Sequence, residues 1–187
     1  MTVNELLRER RGAVIERWGD AILATYPADG ARFFKRERDP FHNPVGSTIV
    51  KAIGPVYDWV LGAVGEDELA SSLDAIVRIR SVQSFTPGQA VGFVFALKAI
   101  ITEEVAPGAQ EAEHRELSNL FMRIDQLALR AFDVYAACRQ RVADVRINEV
   151  KARTYSLLRR AGAVDAGDDP DADRGPDGAP VEGGREA

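Results

Sequence analysis

Cysteine and histidine are scarce in this sequence of 187 residues. The single cysteine, Cys138, cannot form an intramolecular disulfide, and with only two histidines it falls short of a structural zinc site. We therefore expect a protein of a reducing compartment that holds no metal and no cofactor.

Long apolar runs are also absent. No segment reaches the roughly 18 to 20 apolar residues that a membrane-spanning helix needs, and residues 1–18 carry charges where a signal peptide has its apolar stretch. The net charge of −5 argues against nucleic acid as the main partner, because phosphate binding requires an excess of basic residues. We expect a cytoplasmic protein that neither spans a membrane nor binds nucleic acid.

The residues that are present fit one globular domain followed by a tail. Hydrophobic residues make up 45% of the sequence and charged residues 28%, as in soluble domains. Residues 165–187 contain eight acidic and two basic residues, five glycines and three prolines. Their few apolar side chains cannot offset the entropy lost on ordering. We predict a domain of residues 1–164 and a disordered acidic tail of residues 165–187.

Helical signals dominate residues 1–164. A capping box precedes a periodic segment that predicts a helix over about 3–25. A second predicted helix covers about 44–64, and Pro55 within it should cause a kink or a break because proline lacks the donor N–H. A third predicted helix covers about 66–80.

The strongest helix start is TPGQ at residues 86–89, which combines a hydroxyl cap, a proline at the first helical position and a glutamine at the third. Lys98 is the only charged residue between 89 and 101, so apolar side chains cover nearly the whole circumference. We expect a helix in the centre of the core, with Phe95 buried inside it.

The last predicted helix covers about 109–161, a segment without glycine or proline. A helix of that length measures about 75 Å, which is longer than a compact domain of this size, so we expect it to project from the domain or to bend. Apolar residues repeat along it at spacings of three and four residues, which is typical of a seam that packs on another helix. These residues are Leu120, Ile124, Leu127, Ala131, Val134 and Cys138. We predict a homodimer formed through this helix.

The end of the same helix is a candidate interaction surface because it is rich in basic residues. The segment 139–160 has seven of them against two acidic residues, and they are Arg139, Arg141, Arg146, Lys151, Arg153, Arg159 and Arg160. They suit an acidic protein partner, anionic lipid headgroups or the acidic tail of the same chain. The alternative is an ordinary solvated helix face.

Three stretches of the sequence resemble a known family. They are YPADGARFFKRERDPFHNPVGSTI, DAIVRIRSVQSFTPGQAVGFVFALK and AFDVYAACRQRVADVRINEVKARTYSLLRR, and they are similar to the N-terminal domain of the RsbT co-antagonist protein RsbRD. The resemblance implies an all-α, globin-like sensory domain without haem that regulates a stress-response pathway. Full-length co-antagonists carry a phosphorylatable STAS domain, which we do not find in this sequence, so kinase-dependent co-antagonism is not carried over.

Two polar clusters are candidate ligand or partner contacts. Arg78, Arg80 and Gln83 precede the TPGQ helix start, where a guanidinium could hold a carboxylate or a phosphate. The alternative interpretation is structural, since Asp74 and Arg78 are spaced for an ion pair within a helix.

The second cluster consists of Asp39, His42 and Asn43. Its structural interpretation is that Asn43 caps a helix and that Asp39 is a turn residue. Asp39, His42 and Ser47 come nearest to a catalytic set, but their spacing matches no known mechanism, and the sequence has no phosphate-binding loop.

We therefore predict a non-catalytic regulatory module that binds a protein partner of unknown identity. The alternative is a sensor that binds a small molecule or haem in an internal pocket.

Overall fold

The computed structural model describes residues 2–37, 39, 41–105 and 111–163. These residues form eight helices and no strand, which confirms the all-α prediction. The helices are α1 (Val3–Glu9), α2 (Arg11–Ala24), α3 (Ala28–Arg36), α4 (Pro44–Val60), α5 (Glu66–Ser81), α6 (Pro87–Val91), α7 (Phe93–Val105) and α8 (Glu111–Arg160).

The chain divides into two units, residues 1–140 and residues 141–187. The hydrophobic core lies in the first unit and draws on α1, α2, α4, α5, α6, α7 and the first part of α8. The predicted tail of residues 165–187 lies outside the described residues, so its disorder and the boundary at residue 164 stay predictions. No described helix is long and apolar enough to cross a membrane.

The predicted helix over 3–25 is interrupted at Arg10, which separates α1 from α2. No helix-breaking residue marks this point, so the sequence gives no warning of it. Both helices are fixed to the rest of the core by side-chain hydrogen bonds. The carbonyl of Leu7 on α1 accepts a hydrogen bond of 2.9 Å from the Tyr57 hydroxyl, and Trp18 Nε1 on α2 donates to the Phe93 carbonyl over 2.8 Å.

Helix α4 continues through Pro55. Of the predicted kink or break, the break is wrong and the kink stays a prediction. The core face of α4 is buried on both sides of Pro55. Ile53 is buried before the proline, and Val56 and Tyr57 are buried after it. That burial offsets the one backbone hydrogen bond that proline cannot make. The helix ends at Val60, short of the predicted Val64.

Helix α5 has the predicted position, but the helix that begins at TPGQ is divided. The capping box of Thr86 and Gln89 opens α6, as predicted, and α6 ends at Val91 with Gly92 as its C-cap. A Cβ at Gly92 would lie 2.6 Å from the carbonyl oxygen of Gly88, so a side chain does not fit there. The prediction for Phe95 is wrong: its side chain is 48% exposed, whereas Leu97 is fully buried.

Helix α8 is one continuous helix, and its first part packs on the core of the same chain. Every residue of the predicted seam is buried except Val134, which is half-buried. The seam therefore packs on other helices of the same chain, and the homodimer through α8 stays a prediction. Polar contacts accompany it, including an ion pair of 2.7 Å between Lys98 Nζ and Asp125 Oδ1.

The described residues of the second unit, 141–163, contain the remainder of α8. Nearly all their side chains are exposed, and only Val142 and Tyr155 are half-buried. The helix ends at Arg160, and Gly162 follows with a φ of 69°, a left-handed conformation that favours glycine.

Candidate functional site

Arg80 is the most buried charged residue in the described part of the chain. It lies near the end of α5 with no exposed surface. Its Nε donates to the carbonyl of Ala90 over 2.9 Å, and its Nη2 donates to the carbonyl of Gln89 over 2.8 Å. Both Nη atoms also donate to the hydroxyl of Thr25 over 3.1 Å. One side chain thus joins α5 to the end of α2 and to α6.

Aromatic rings cover the guanidinium of Arg80. Its Cζ lies 4.4 Å from the ring centre of Phe85 and 5.4 Å from the ring centres of Tyr26 and Phe93. No carboxylate in the described residues pairs with it. Burial lowers the pKa of Arg80, yet a guanidinium stays charged at neutral pH. Backbone carbonyls and ring faces therefore hold a cation inside the core.

The other two residues of this predicted cluster differ in their position relative to Arg80. Arg78 is exposed and its Nε lies 2.6 Å from Asp74 Oδ2, the ion pair that the structural interpretation predicts. That pairing raises the pKa of Arg78. Gln83 is half-buried, and its backbone N–H donates to the carbonyl of Arg80 over 3.4 Å. The structure therefore keeps Gln83 next to Arg80, whereas Arg78 lies on the surface with Asp74.

The end of α5 also contacts α8. The carbonyl oxygen of Ser81, itself buried, accepts a hydrogen bond of 3.3 Å from Arg139 Nη1. Arg139 was predicted as part of the basic interaction surface, and the structure gives it a partner within the first unit. The corner formed by Arg80, Ser81 and the start of α6 is thus linked directly to α8.

The cluster around Asn43 is held by local hydrogen bonds. The Asn43 side chain caps α4 by accepting from the Gly46 N–H over 2.8 Å, and it donates to the carbonyls of Phe34 and Glu37 over 2.9 and 2.7 Å. His42 and Asp39 form an exposed pair with 2.8 Å between Nδ1 and Oδ2. Asn43 is therefore a structural residue that ties the end of α3 to the start of α4.

Asn43 also lines a cleft in the described part of the chain. We call this the α2–α4 cleft, since it lies among α2, α3 and α4, with a volume of about 670 Å³. Its apolar lining consists of Ile15, Leu23, Phe34, Val50 and Ile53, and its acidic lining of Glu16, Asp20 and Glu37. Gly12, Gly19, Gly46 and Ser47 complete it. A volume of this size is typical of small-molecule sites.

Sequence analysis did not identify the cleft residues on α2. The signal available for them was the pair Gly12 and Gly19, seven residues apart on one helix, which leaves two positions of one face without a side chain. The partners contributed by α3 and α4 are distant in sequence. Only the fold brings them together.

The α2–α4 cleft does not fit a haem. An axial ligand must project from the wall of an enclosed apolar pocket, and none of the described residues that line the cleft is a histidine. His42 is exposed and bound to Asp39 instead. Acidic residues at the cleft would also disfavour the haem propionates.

The basic residues beyond Gln140 lie on the surface of the second unit. Arg153 Nη2 lies 3.3 Å from Glu149 Oε1, an ion pair along the helix. Arg141, Arg146, Lys151, Arg159 and Arg160 are exposed. Together they form a basic surface without a ligand pocket in the described residues.

Comparison with known proteins gives the family. Residues 12–150 match the family model described as the RsbT co-antagonist protein rsbRD N-terminal domain. The chain belongs to this family. The match confirms the resemblance seen in the sequence and identifies the protein as a regulatory domain of the RsbRD N-terminal type. It covers the α2–α4 cleft and the Arg80 corner, and it ends within α8 before Lys151.

A relative of this RsbRD N-terminal domain is an uncharacterized protein of Archaeoglobus fulgidus. It is 24% identical over 145 residues, which cover 76% of this chain and 85% of that protein. No solved structure matches the chain. The globin-like topology that the resemblance implies therefore stays a prediction.

Proposed function

We propose that the protein is a non-catalytic, cytoplasmic regulatory module that passes a signal from its helical core to α8 and forms a homodimer through α8. The main observation in support of this proposal is that α8 has two apolar faces. One face of the helix is part of the core, and another face presents a regular row of apolar side chains to solvent.

The first part of α8 is coupled to the core by packing and by polar contacts. Ile124, Leu127 and Ala131 are fully buried. Arg130 pairs with Glu66 at the start of α5, and Arg139 binds the Ser81 carbonyl at the end of α5. A change in the position of α5 would therefore act on α8 at two points. Signals that shift packed helices by one or two ångströms are a known regulatory device.

The exposed apolar row predicts self-association. Residues with exposed or small side chains recur every seven positions along α8: Met122, Leu129, Ala136, Ala143, Val150 and Leu157. Phe132, Ile147 and Thr154 fall three or four residues after members of this series. We call this series the outer row. A seven-residue repeat with an intermediate member is the pattern of a two-stranded coiled coil. An identical helix in a second copy would supply the complementary row.

The homodimer is tested by placing a charge in the outer row. Val150→Glu should raise the dimer dissociation constant at least tenfold, because two carboxylates would face each other in an apolar seam. The matched control is Val145→Glu. Val145 is equally exposed, but it lies about 140° around the helix from Val150, so the dimer should persist. Sedimentation velocity over a concentration series measures both.

A wild-type protein that is monomeric at high micromolar concentration would refute the homodimer. Equal effects of Val150→Glu and Val145→Glu would refute the outer row as its interface. Circular dichroism of each variant should match the wild type, because neither side chain contributes to the core.

A further inference from the structure

We propose that the end of α8, residues 141–160, binds an acidic amphipathic helix of another protein. The partner helix has an apolar seam with carboxylates along its flank. This inference goes beyond the proposed homodimer and does not depend on it, because it concerns a different partner for the same part of the outer row.

Residues 141–160 form a helix with little packing of its own. Ile147, Val150 and Leu157 of the outer row are 51%, 62% and 60% exposed. Five residues of the segment are β-branched, which lowers helix propensity, and an isolated helix of this length is marginal in water. A partner that packs on the outer row would therefore stabilise this part of α8.

Three arginines follow one flank of the outer row, and we call them the arginine row. Arg146, Arg153 and Arg160 recur every seven residues, and the first two lie within about 60° of Val150 around the helix. Among the described residues, Arg146 and Arg160 have no ion pair, and Arg153 pairs with Glu149 of the same helix over 3.3 Å. Charged residues at the flank of an apolar seam select the partner of a coiled coil.

Two candidates from the same chain match this surface only in part. Residues 165–187 are acidic, but Val181 is their only large apolar side chain, so they cannot fill an apolar seam. A second copy has the apolar seam, but its residues 141–160 contain six basic and two acidic residues, so mainly like charges would meet beside the seam. An acidic amphipathic helix complements both the apolar side chains and the charge.

The composition of the outer row favours a protein helix over a lipid surface. Helices that lie on membranes carry large side chains such as tryptophan, phenylalanine and leucine on their apolar face. The outer row includes Ala143 and Thr154, and its members at 143, 147, 150, 154 and 157 alternate spacings of four and three residues. That alternation is the spacing of a coiled-coil seam.

Two matched peptides test the charge of the partner on the full-length protein. Each is a labelled synthetic helix of about three heptads with leucine in its seam, and the two differ only in having glutamate or lysine at the flanking positions. We expect the glutamate peptide to bind at least about tenfold more tightly at physiological salt, because its carboxylates face the arginine row. Fluorescence anisotropy measures both dissociation constants.

Two double variants test the position of the charge on α8. Arg146→Gln with Arg153→Gln should weaken binding of the glutamate peptide about three- to tenfold, the effect of losing two exposed ion pairs. The control, Arg141→Gln with Arg159→Gln, removes the same charge. Both control residues lie nine positions from Val150, on the opposite side of the helix, so binding should be nearly unchanged.

The proposal is overturned if the two peptides bind equally. It is also overturned if both double variants lose the same affinity, because net charge alone would then attract the peptide. A third contrary result is that vesicles of phosphatidylcholine and phosphatidylserine in equal parts bind through the arginine row while the glutamate peptide does not. A lipid surface would then be the partner.

Two further measurements keep these outcomes interpretable. All four substituted arginines are exposed, so circular dichroism of each variant should match the wild type. Sedimentation without peptide reports the homodimer separately. A monomeric protein that binds the glutamate peptide refutes only the homodimer, and a dimer that binds neither peptide refutes only the acidic partner.

Discussion

Arg80 shows how a single residue can fix the junction of three helices. Its guanidinium reaches neutral acceptors on α2 and α6, and aromatic rings shield it from water. A buried cation without a carboxylate is costly unless hydrogen bonds replace its hydration. Both Nη atoms and Nε of Arg80 have such bonds. The planar shape of the group allows this, because its donors point in several directions at once.

Arg80→Lys should therefore destabilise the protein by about 2 to 4 kcal/mol, since lysine keeps the buried charge and loses the fork of donors. Arg78→Lys is the matched control. It makes the same substitution two residues away, at an exposed position paired with Asp74, and should leave stability unchanged. Urea denaturation of both variants measures the difference. Equal midpoints for the two variants would contradict the structural role of Arg80.

The sequence predicts some residue roles and not others. Asn43 was identified as a cap because an asparagine before a proline at the first helical position has a local signature. Burial of Arg80 has no such signature. It depends on Phe85, which lies in the α5–α6 connection, and on Phe93, the first residue of α7, whose rings lie over the guanidinium. An arginine near the end of a helix is usually a surface residue, so local pattern alone suggests the opposite.

At the scale of elements, boundaries follow local chemistry where a cap or a glycine sets them. The capping box at Thr86 and the end of α8 before Gly162 were both predictable. The interruption at Arg10 was not, because no helix-breaking residue marks it, and the continuity of α4 through Pro55 was not, because tertiary packing on both sides of the proline favours it. Gly92 was visible in the sequence, but only the structure shows that a Cβ there would lie 2.6 Å from the Gly88 carbonyl oxygen, so that a side chain is excluded.

Helix α7 is apolar on most sides, but only some of those sides are buried. Leu97 and Phe95 should therefore respond differently to substitution. Leu97→Asp should unfold the protein or destabilise it by about 4 kcal/mol, because it places a carboxylate in the core. Phe95→Asp should cost less than about 1 kcal/mol, because Phe95 is half in solvent and contacts Lys98. Thermal unfolding monitored by circular dichroism measures both. A severe loss in Phe95→Asp would show that Phe95 is covered in solution.

At the scale of the whole molecule, α8 has two apolar faces, one in the core and one exposed, which the sequence alone does not distinguish. The repeat from Leu120 to Cys138 and the outer row from Met122 both have the spacing of a helix seam. Periodicity shows that two apolar faces exist, and only the structure shows that the first is buried within the chain. The α2–α4 cleft was beyond sequence analysis for a related reason, since its walls come from three helices.

The distribution of charge along the chain leads to the last prediction. Residues 165–187 contain eight acidic residues and follow closely after a segment, 139–160, that contains seven basic ones. Because the tail is tethered, its local concentration near that segment is high. We expect loose, salt-screened attraction that competes with other acidic partners, with a range of about 8 to 10 Å at physiological salt.

Removing residues 165–187 should leave thermal stability unchanged and strengthen binding of polyglutamate at low ionic strength. A full-length variant with the eight acidic tail residues changed to asparagine and glutamine should behave like the truncated protein, because the effect is one of charge and not of chain length. The gain should vanish at about 0.5 M salt, where screening shortens the interaction to a few ångströms. Fluorescence anisotropy of labelled polyglutamate measures all three proteins. Equal binding at every ionic strength would mean that the tail does not mask the basic end of α8.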